Sequence, residues 1–306
     1  MSIVETFPRS TTIYKPENQP AIRLGVVSFL NTLPLIDGLE DLSDLELVHA
    51  VPSHLIDMLQ GGQVDVALCS SIDYQRAKEP LAIVPCGLLG SDGPTLTVRL
   101  FSRVPFDRLQ RVHCDTDSHT SIALLSILLR ERWQVNPELA AFSASDKNLA
   151  PDHQAILLIG DKVIANAPPT DDYPHQLDLG ESWTKHTGLP FVFACWMTPA
   201  APGIPITTSG KALGTDTGKN QNQRRIHTLA RILDHQRCHN RERIDGMIHR
   251  HAPQCPWTMS LASSYLKEHI VYDWTPERRA GLECFFEKAH TYGLIEQNRP
   301  LVFLDL

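Results

Sequence analysis

The chain has 306 residues, 42% of them hydrophobic, and its formal net charge is −7 at pH 7. This length suits two domains of ordinary size or one large one, and the negative charge without a long basic run argues against nucleic acid as the main partner. The seven cysteines are scattered and contain no CxxC pair. That usage favours a reducing compartment and argues against a disulfide framework.

The N-terminal segment and the overall hydropathy argue against export. Residues 1–21 are polar and proline-containing, lack the continuous apolar region of a signal peptide, and predict a flexible leader. No apolar run of the sequence reaches transmembrane length. We therefore expect a cytoplasmic protein that does not bind a membrane.

The first third of the chain alternates short strands with helices. A buried strand is predicted at 22–29, and an apolar helix is predicted to begin at Pro34, because proline suits a first helical turn. Further strands are predicted at 45–51 and 64–69, each followed by a helix. This β-α-β-α-β order with short loops predicts a mostly parallel sheet covered on both faces.

The alternation repeats after residue 110 and then gives way to helices. The strands and helices expected there are a strand at 111–115, an amphipathic helix at 116–133, strands at 154–160 and 190–197, and helices from 224 onward, the last with Thr275 as N-cap and Pro276 in its first turn. Residues 199–223 have almost no core-forming side chains and predict a mobile insertion.

Two β/α units joined by two strands predict two lobes around a central cleft. We expect lobe 1 to comprise 22–103 and 198–306, and lobe 2 to comprise 104–197. In open α/β sheets, ligands bind outside the carboxyl ends of the strands. The expected fold class is therefore a two-lobed α/β structure with its ligand in the cleft.

Neutral polar residues gather where the predicted strands end. Each group alone is typical of a helix cap or a turn, but four groups at sheet edges favour a ligand site. The first group, around Asn31, precedes a predicted helix whose N-terminus suits a small anion. The four groups are Ser28 with Asn31, Ser70 with Ser71, residues 92–94 with Thr95 and Thr97, and Thr116 with Ser118, Thr120 and Ser121.

Several sequence blocks together resemble one family, chorismate dehydratase of the futalosine route to menaquinone. The resemblance covers about 22–198 and 257–296. The blocks are SFLNTLPL (28–35), QGGQVDVALCSSIDY (60–74), SDGPTLTV (91–98), FSRVP (101–105), TDSHTSIALLSILLRERW (116–133), LLIGD (157–161), DLGESWTKHTGLPFVFACW (178–196) and YLKEHIVYDWTPERRAGLECFFEKAHTYGLI (265–295).

That resemblance implies the fold of type II periplasmic binding proteins, used inside the cytoplasm as an enzyme. The implied reaction removes water from chorismate to give 3-[(1-carboxyvinyl)oxy]benzoate, with no metal or organic cofactor. The resemblance places Asn31 and Thr97 against the substrate as the catalytic pair. The family has Ser or Thr at the latter position. The residues expected to bind the substrate are Ser28, Ser70, Asp92, Gly93, Ser118, Thr120 and Ser121, and all of them except Asp92 are expected around its carboxylates.

The sequence contains no obvious general base. Asp92 and Asp161 follow predicted strands, but a turn or a cap is the more typical role of an aspartate at such positions. His119 stands where the resemblance implies an arginine. We therefore keep the hypothesis that a carboxylate of the substrate itself takes the C3 proton.

Two other functions remain open at this level. One is a different enzyme of the same route, 1,4-dihydroxy-6-naphthoate synthase, and the other is a non-catalytic protein that binds small carboxylates. A metal site is not expected, because His235 and His239 have helical spacing but belong to no HExxH or CxxC motif. The only expected partner is the small-molecule substrate.

Overall fold

The structure is a computed structural model that describes residues 20–142, 153–200, 206–207 and 221–305. Most of the expected leader (1–21) and of the expected insertion (199–223) lies outside these residues. Within the expected insertion, however, Ile206–Thr207 forms a short strand and a long helix begins at Gln221. No helix of the described segments is long and apolar enough to cross a membrane.

Strands and helices alternate through most of the described chain. The strands are β1 Ile22–Val26, β2 Leu45–His49, β3 Val66–Ser70, β4 Leu81–Ser91, β5 Val98–Ser102, β6 Arg111–Asp115, β7 Glu138–Phe142, β8 Ala155–Ile159, β9 His175–Asp178, β10 Phe191–Pro199, β11 Ile206–Thr207 and β12 Phe303–Leu304. The α-helices are α1 Leu33–Ile36, α2 Pro52–Gln60, α3 Asp73–Arg76, α4 His119–Trp133, α5 Asp161–Asn166, α6 Leu179–Thr187, α7 Gln221–Glu242, α8 Ile244–His251, α9 Met259–Ser264 and α10 Pro276–Thr291.

The larger sheet has seven strands in the order β11-β12-β4-β10-β3-β1-β2. β1 pairs in parallel with β2 and β3, as expected, but β10 lies antiparallel between β3 and β4. The expectation of a mostly parallel sheet was therefore wrong, because the chain returns from the second lobe and inserts β10 into the first sheet. Both faces of this sheet are covered, since successive residues of β3 belong to two different hydrophobic clusters.

The smaller sheet has five strands in the order β7-β6-β8-β5-β9. The chain passes into it between β4 and β5 and returns between β9 and β10, so two segments join the lobes. The lobe boundaries given above stay a prediction, but β5 hydrogen-bonds with β8 and β9 of the smaller sheet. Sheet membership therefore places residues 98–102 with the second lobe and β10 with the first.

The sequence predicts the start of both the first and the last helix, but the first helix is much shorter than the last. A helix does start beside Pro34, but it ends at Ile36, and Gly38 adopts a left-handed conformation with φ +85°. The final helix α10 begins as expected: Thr275 is its N-cap and accepts a hydrogen bond from the backbone N–H of Arg278, and Pro276 lies in the first turn.

Candidate functional site

A cavity that opens to solvent lies between the two sheets. It sits beyond the carboxyl ends of β1 and β3 from the larger sheet and of β6 and β8 from the smaller one. The residues that line it are Val27, Phe29, Asn31, Pro52, Leu68, Ser70, Leu89, Gly90, Thr95, Thr97, Val98, Ser118, Ser121, Ile159, Gly160, Phe193, Ala194 and Ile270. This is the edge at which ligands of open α/β sheets bind.

Asn31 and Thr97 meet in this cavity through the hydroxyl of Tyr265. The side-chain Nδ2 of Asn31 donates a hydrogen bond of 3.0 Å to the Tyr265 hydroxyl, which lies 2.6 Å from the Thr97 Oγ1. Oδ1 of Asn31 is buried without a hydrogen-bond partner in the described structure. A buried acceptor without a partner is costly, so the site offers a place for an O–H or N–H donor of a ligand.

Thr97 is held in place by the segment that joins the lobes. Asp178, at the end of β9, accepts hydrogen bonds from the backbone N–H groups of Thr95 and Leu96 at 3.0 and 2.8 Å. Leu96 has φ +60°, which is uncommon for a residue with a Cβ and marks strain that the surroundings must hold. The Asp178 carboxylate therefore fixes the backbone on which Thr97 sits.

The first turn of α4 brings further hydroxyls to the cavity. Ser118 is the N-cap of this helix of 15 residues and accepts a hydrogen bond from the backbone N–H of Ser121. The two serine hydroxyls lie 3.0 Å apart. Ser70, at the end of β3, lines the same cavity. A helix N-terminus with neutral hydroxyls around it is a favourable environment for a carboxylate.

The two lobes touch beside the cavity. Asp161 starts α5 in the smaller lobe and accepts hydrogen bonds from the larger lobe, at 2.8 Å from the Trp257 indole N–H and at 3.3 Å from the backbone N–H of Leu30. Burial raises the pKa of the Asp161 carboxyl, and these two hydrogen bonds oppose the rise. The ring of Phe29 packs on Gly160, where an added Cβ would lie 3.1 Å from the ring.

Four residues that the sequence predicts in the site lie elsewhere. Ser28 is exposed and bonds to His49, and Gly93 is in a turn outside the cavity lining. The Asp92 carboxylate pairs with Arg278 at 2.8 Å. Thr120 is fully buried and hydrogen-bonds with the β3–α3 loop, where it accepts from the backbone N–H of Ile72 at 3.1 Å.

His119 also points away from the cavity. Its Nδ1 lies 2.8 Å from Oδ1 of Asp73, a buried residue at the start of α3. Burial raises the pKa of the Asp73 carboxyl, while its contact with His119 lowers it. In this chain the histidine therefore joins α4 to α3, and the structure gives it no contact with the cavity.

Sequence reasoning did not identify Tyr265 and Asp178 as site residues. Tyr265 is 234 positions from Asn31, and an aromatic side chain on a helix is typical of a core position. Asp178 carries the sequence signal of a helix N-cap and does accept from the backbone N–H of Glu181. Its second function, holding residues 95 and 96, depends on a contact across 83 positions.

The side chains that line the cavity are all neutral. The nearby cation Lys162 is hydrogen-bonded to the carboxylates of Asp115 and Asp117 at 2.8 and 2.5 Å. The described lining therefore offers hydroxyl, amide and backbone hydrogen bonds and aromatic faces, but no charged side chain. Such a lining can bind and orient an anion and polarise its hydroxyl groups.

Comparison with known proteins identifies a family. Residues 22–291 match the family model described as menaquinone biosynthesis. The chain is 33% identical over 187 residues to the chorismate dehydratase of Thermus thermophilus, an alignment that covers 56% of this chain and 68% of that protein.

Solved structures agree on the fold. A protein of Archaeoglobus fulgidus has a TM-score of 0.66 and 14% identity, with 90% of this chain and 98% of that chain covered. The aliphatic sulphonate-binding protein SsuA of Escherichia coli has a TM-score of 0.61 and 13% identity, with 93% and 96% covered. The alkanesulfonate-binding protein of Xanthomonas axonopodis, bound to MOPS, has a TM-score of 0.64 and 11% identity, with 94% and 98% covered. The two-lobed fold is that of periplasmic binding proteins.

Proposed function

The chain belongs to the menaquinone biosynthesis family whose model it matches, and from that premise we propose that it is a chorismate dehydratase, a carbon–oxygen lyase acting in the cytoplasm. The reaction removes water from chorismate to give 3-[(1-carboxyvinyl)oxy]benzoate. The similarity to the Thermus thermophilus chorismate dehydratase supports this activity.

The observation that carries the proposal is a neutral cavity in which Asn31 and Thr97 share one hydroxyl partner. Chorismate has two carboxylates, a C4 hydroxyl and a ring that becomes aromatic when water leaves. Ser70, Ser118 and Ser121 supply hydroxyls for the carboxylates, and the N-terminus of α4 favours their negative charge. Oδ1 of Asn31, which is buried without a partner, suits the C4 hydroxyl as its donor.

The dehydration needs no co-reactant. The C3–H and C4–O bonds break, a C3–C4 double bond completes the aromatic ring, and the proton and the hydroxide leave together as water. Removal of the C3 proton is assisted because the resulting negative charge is conjugated with the ring carboxylate. The protein has to orient the substrate and donate hydrogen bonds to the charge that develops on the leaving oxygen. We assign that donation to Thr97.

The neutral lining of the cavity supports a carboxylate of the substrate as the acceptor of the C3 proton. Neither Asp92 nor His119 lines the cavity, and Asp161 is hydrogen-bonded to Trp257 and Leu30 beside it. A general base must lie within hydrogen-bond reach of the proton that it removes. The enolpyruvyl carboxylate is attached to C3 through the ether oxygen, so the substrate brings its own base to the reacting carbon.

Turnover of chorismate tests the proposed function. Purified protein would be mixed with chorismate in the presence and absence of EDTA, and the products followed by mass spectrometry. We expect loss of one water with an equal rate in both samples. Unchanged chorismate would overturn the proposal. Conversion of cyclic futalosine instead would identify the 1,4-dihydroxy-6-naphthoate synthase, whereas binding without turnover would identify a carboxylate-binding protein.

Asp92→Asn tests whether an aspartate next to the site acts as the base. Its side chain is 51% exposed and pairs with Arg278 outside the cavity lining. We expect kcat for chorismate to stay within about threefold of wild type, because the half-exposed carboxylate lies outside the cavity lining and the buried Arg278 keeps its second partner Asp273. A loss of about 100-fold with chorismate binding intact would identify Asp92 as the general base and contradict proton transfer to the substrate's own carboxylate.

A further inference from the structure

We propose that Tyr265 is a positioning residue for the dehydration, and that Asp161 of the opposite lobe holds it in place through Trp257. This inference rests on the proposed function, since it concerns how Asn31 and Thr97 are aligned for chorismate. It adds three residues, none of which touches the reacting atoms, and it connects the alignment of the catalytic pair to contact between the lobes.

Tyr265 is fully buried at the start of a π-helical turn, Tyr265–His269. The backbone N–H of Ile270 donates to the carbonyl of Tyr265, five residues earlier, at 3.2 Å. Turns of this kind are rare, and they often occur at functional sites. Here the turn follows the α9 helix, Met259–Ser264, and begins at the residue whose hydroxyl contacts Asn31 and Thr97 of the cavity lining.

The Tyr265 hydroxyl hydrogen-bonds to both members of the catalytic pair. It accepts from Nδ2 of Asn31, so its own proton is available for Oγ1 of Thr97 at 2.6 Å. Thr97 then keeps its own hydroxyl proton, which in this structure faces the Thr95 carbonyl at 3.4 Å, a long hydrogen bond that a ligand in the cavity can replace. Burial raises the pKa of Tyr265, which keeps the phenol protonated and able to donate.

The ring of Trp257 packs against one face of the Tyr265 ring. The two rings are stacked at a centroid distance of 4.6 Å and an interplanar angle of 13°. The indole N–H of Trp257 donates to Oδ1 of Asp161 at 2.8 Å, while Oδ2 of Asp161 accepts from the backbone N–H of Leu30. Leu30 directly precedes Asn31. The Asp161 carboxylate therefore contacts both Trp257, on which the Tyr265 ring stacks, and the backbone next to Asn31.

Asp161 belongs to the smaller lobe, whereas Trp257, Leu30 and Tyr265 belong to the larger one. Separation of the lobes would break both hydrogen bonds to Asp161. The alignment of Asn31 and Thr97 through Tyr265 is therefore complete only while the lobes are in contact. Orientation of this kind acts on the chemical step, since it sets the geometry of the donors toward the leaving group.

The first test compares two Tyr→Phe variants of the same hydrophobic cluster. Tyr265→Phe keeps the stacking on Trp257 and removes only the hydroxyl. Tyr272→Phe is the matched control, because the Tyr272 hydroxyl is buried without a partner in the described structure. We expect kcat to fall about 100-fold in Tyr265→Phe, with KM for chorismate within about threefold of wild type, and no loss of kcat in Tyr272→Phe. Equal kcat values in the two variants would overturn the proposal.

The second test is a double-mutant cycle of Asp161→Ala and Trp257→Phe. If the two residues act through one hydrogen bond, each single variant lowers kcat about tenfold and the double variant little further. A loss of about 100-fold in the double variant, the product of the two single losses, would show that the two residues act independently and would overturn the proposed link between Asp161 and Trp257. Asp161→Asn keeps an oxygen for the indole N–H and should retain most of the activity that Asp161→Ala loses.

Asp37→Ala is the matched control for Asp161→Ala. Asp37 bonds to Arg250 and His251 inside the larger lobe, and its side chain is only 13% exposed. We expect a lower melting temperature without a change in kcat. If Asp37→Ala lost as much kcat as Asp161→Ala, the effect of Asp161→Ala would be explained by lower stability alone, and the positioning role of Asp161 would be overturned.

Turnover by the wild-type chain separates failure of this inference from failure of the proposed function. If the wild type converts chorismate and the variants do not behave as above, positioning fails and the function stands. If the wild type leaves chorismate unchanged, the function fails. The coupling of Asp161 to Trp257 is then tested by the melting temperatures of the same three variants and the wild type. If the shift in the double variant equals the sum of the two single shifts, the coupling is overturned.

Discussion

Thr97→Val is expected to lower kcat for chorismate dehydration by about 100-fold, because valine lacks the hydroxyl but has nearly the same side-chain shape as threonine. Oγ1 of Thr97 lies 2.6 Å from the Tyr265 hydroxyl, and the residue lines the cavity. Valine cannot donate to the leaving oxygen, and it leaves the Tyr265 hydroxyl without one of its two partners. The measurement is kcat and KM with purified protein, together with the melting temperature.

Thr97→Ser is the control for this variant. It keeps the hydroxyl and removes only a methyl group, and the resemblance to chorismate dehydratases implies that serine occurs at this position. We expect kcat within about fivefold of wild type. If Thr97→Ser and Thr97→Val lose activity equally, the methyl group and the packing around it matter more than the hydroxyl, and the assigned donor is wrong.

Gly281→Ala is expected to destabilise the fold by about 3 kcal/mol or more, one of the larger costs that a single added methyl group can have. A Cβ at Gly281 would lie 2.1 Å from the carbonyl oxygen of Pro190. That oxygen cannot move away freely, because the indole N–H of Trp183 donates to it at 3.1 Å and Trp183 is fully buried. Thermal unfolding followed by circular dichroism measures the effect.

Gly246→Ala provides the opposite expectation for the same chemical change. Gly246 lies in the first turn of α8, and apart from the helix's own backbone the nearest described atom to an added Cβ is the flexible end of Arg250, at 4.0 Å. Alanine is favoured over glycine in helices by at most about 1 kcal/mol, and less in a first turn, so this variant should melt no lower than wild type. A Gly281→Ala variant that melts like Gly246→Ala would contradict the tight contact between α10 and Pro190.

The elements of the fold were predictable where the signals are local. Thr275 and Pro276 form the start of α10 because an N-cap and a first-turn proline act within one helical turn. The end of the first helix also had a local signal, because a glycine is typical just after a helix C-terminus and Gly38 follows Asp37, the C-cap residue of α1. The antiparallel position of β10 had none, because the residues of β3 and β4 that pair with it lie 100 to 130 positions earlier in the chain.

For the candidate site, too, local signals predict some features and distant contacts decide the rest. Neutral residues at the strand ends predicted a cleft, and the structure brings Asn31, Ser70, Thr97, Ser118 and Ser121 to one cavity. Spacing alone cannot distinguish these from Thr120, a residue of the same helix turn that is buried against the β3–α3 loop. Helical rotation decides which hydroxyls reach the ligand, and the contacts that fix this rotation come from distant parts of the chain.

The neutral lining of the cavity has a consequence for how substrate arrives. The chain carries a net charge of −7, and the cavity presents no charged side chain to offset it. A dianion therefore approaches against a weak long-range repulsion, the reverse of electrostatic steering. Added salt screens that repulsion over distances of about 10 Å at 0.1 M, so encounter with substrate becomes faster as ionic strength rises. Capture of the ligand then depends on interactions that act only at short range, the hydrogen bonds of the lining and the N-terminus of α4.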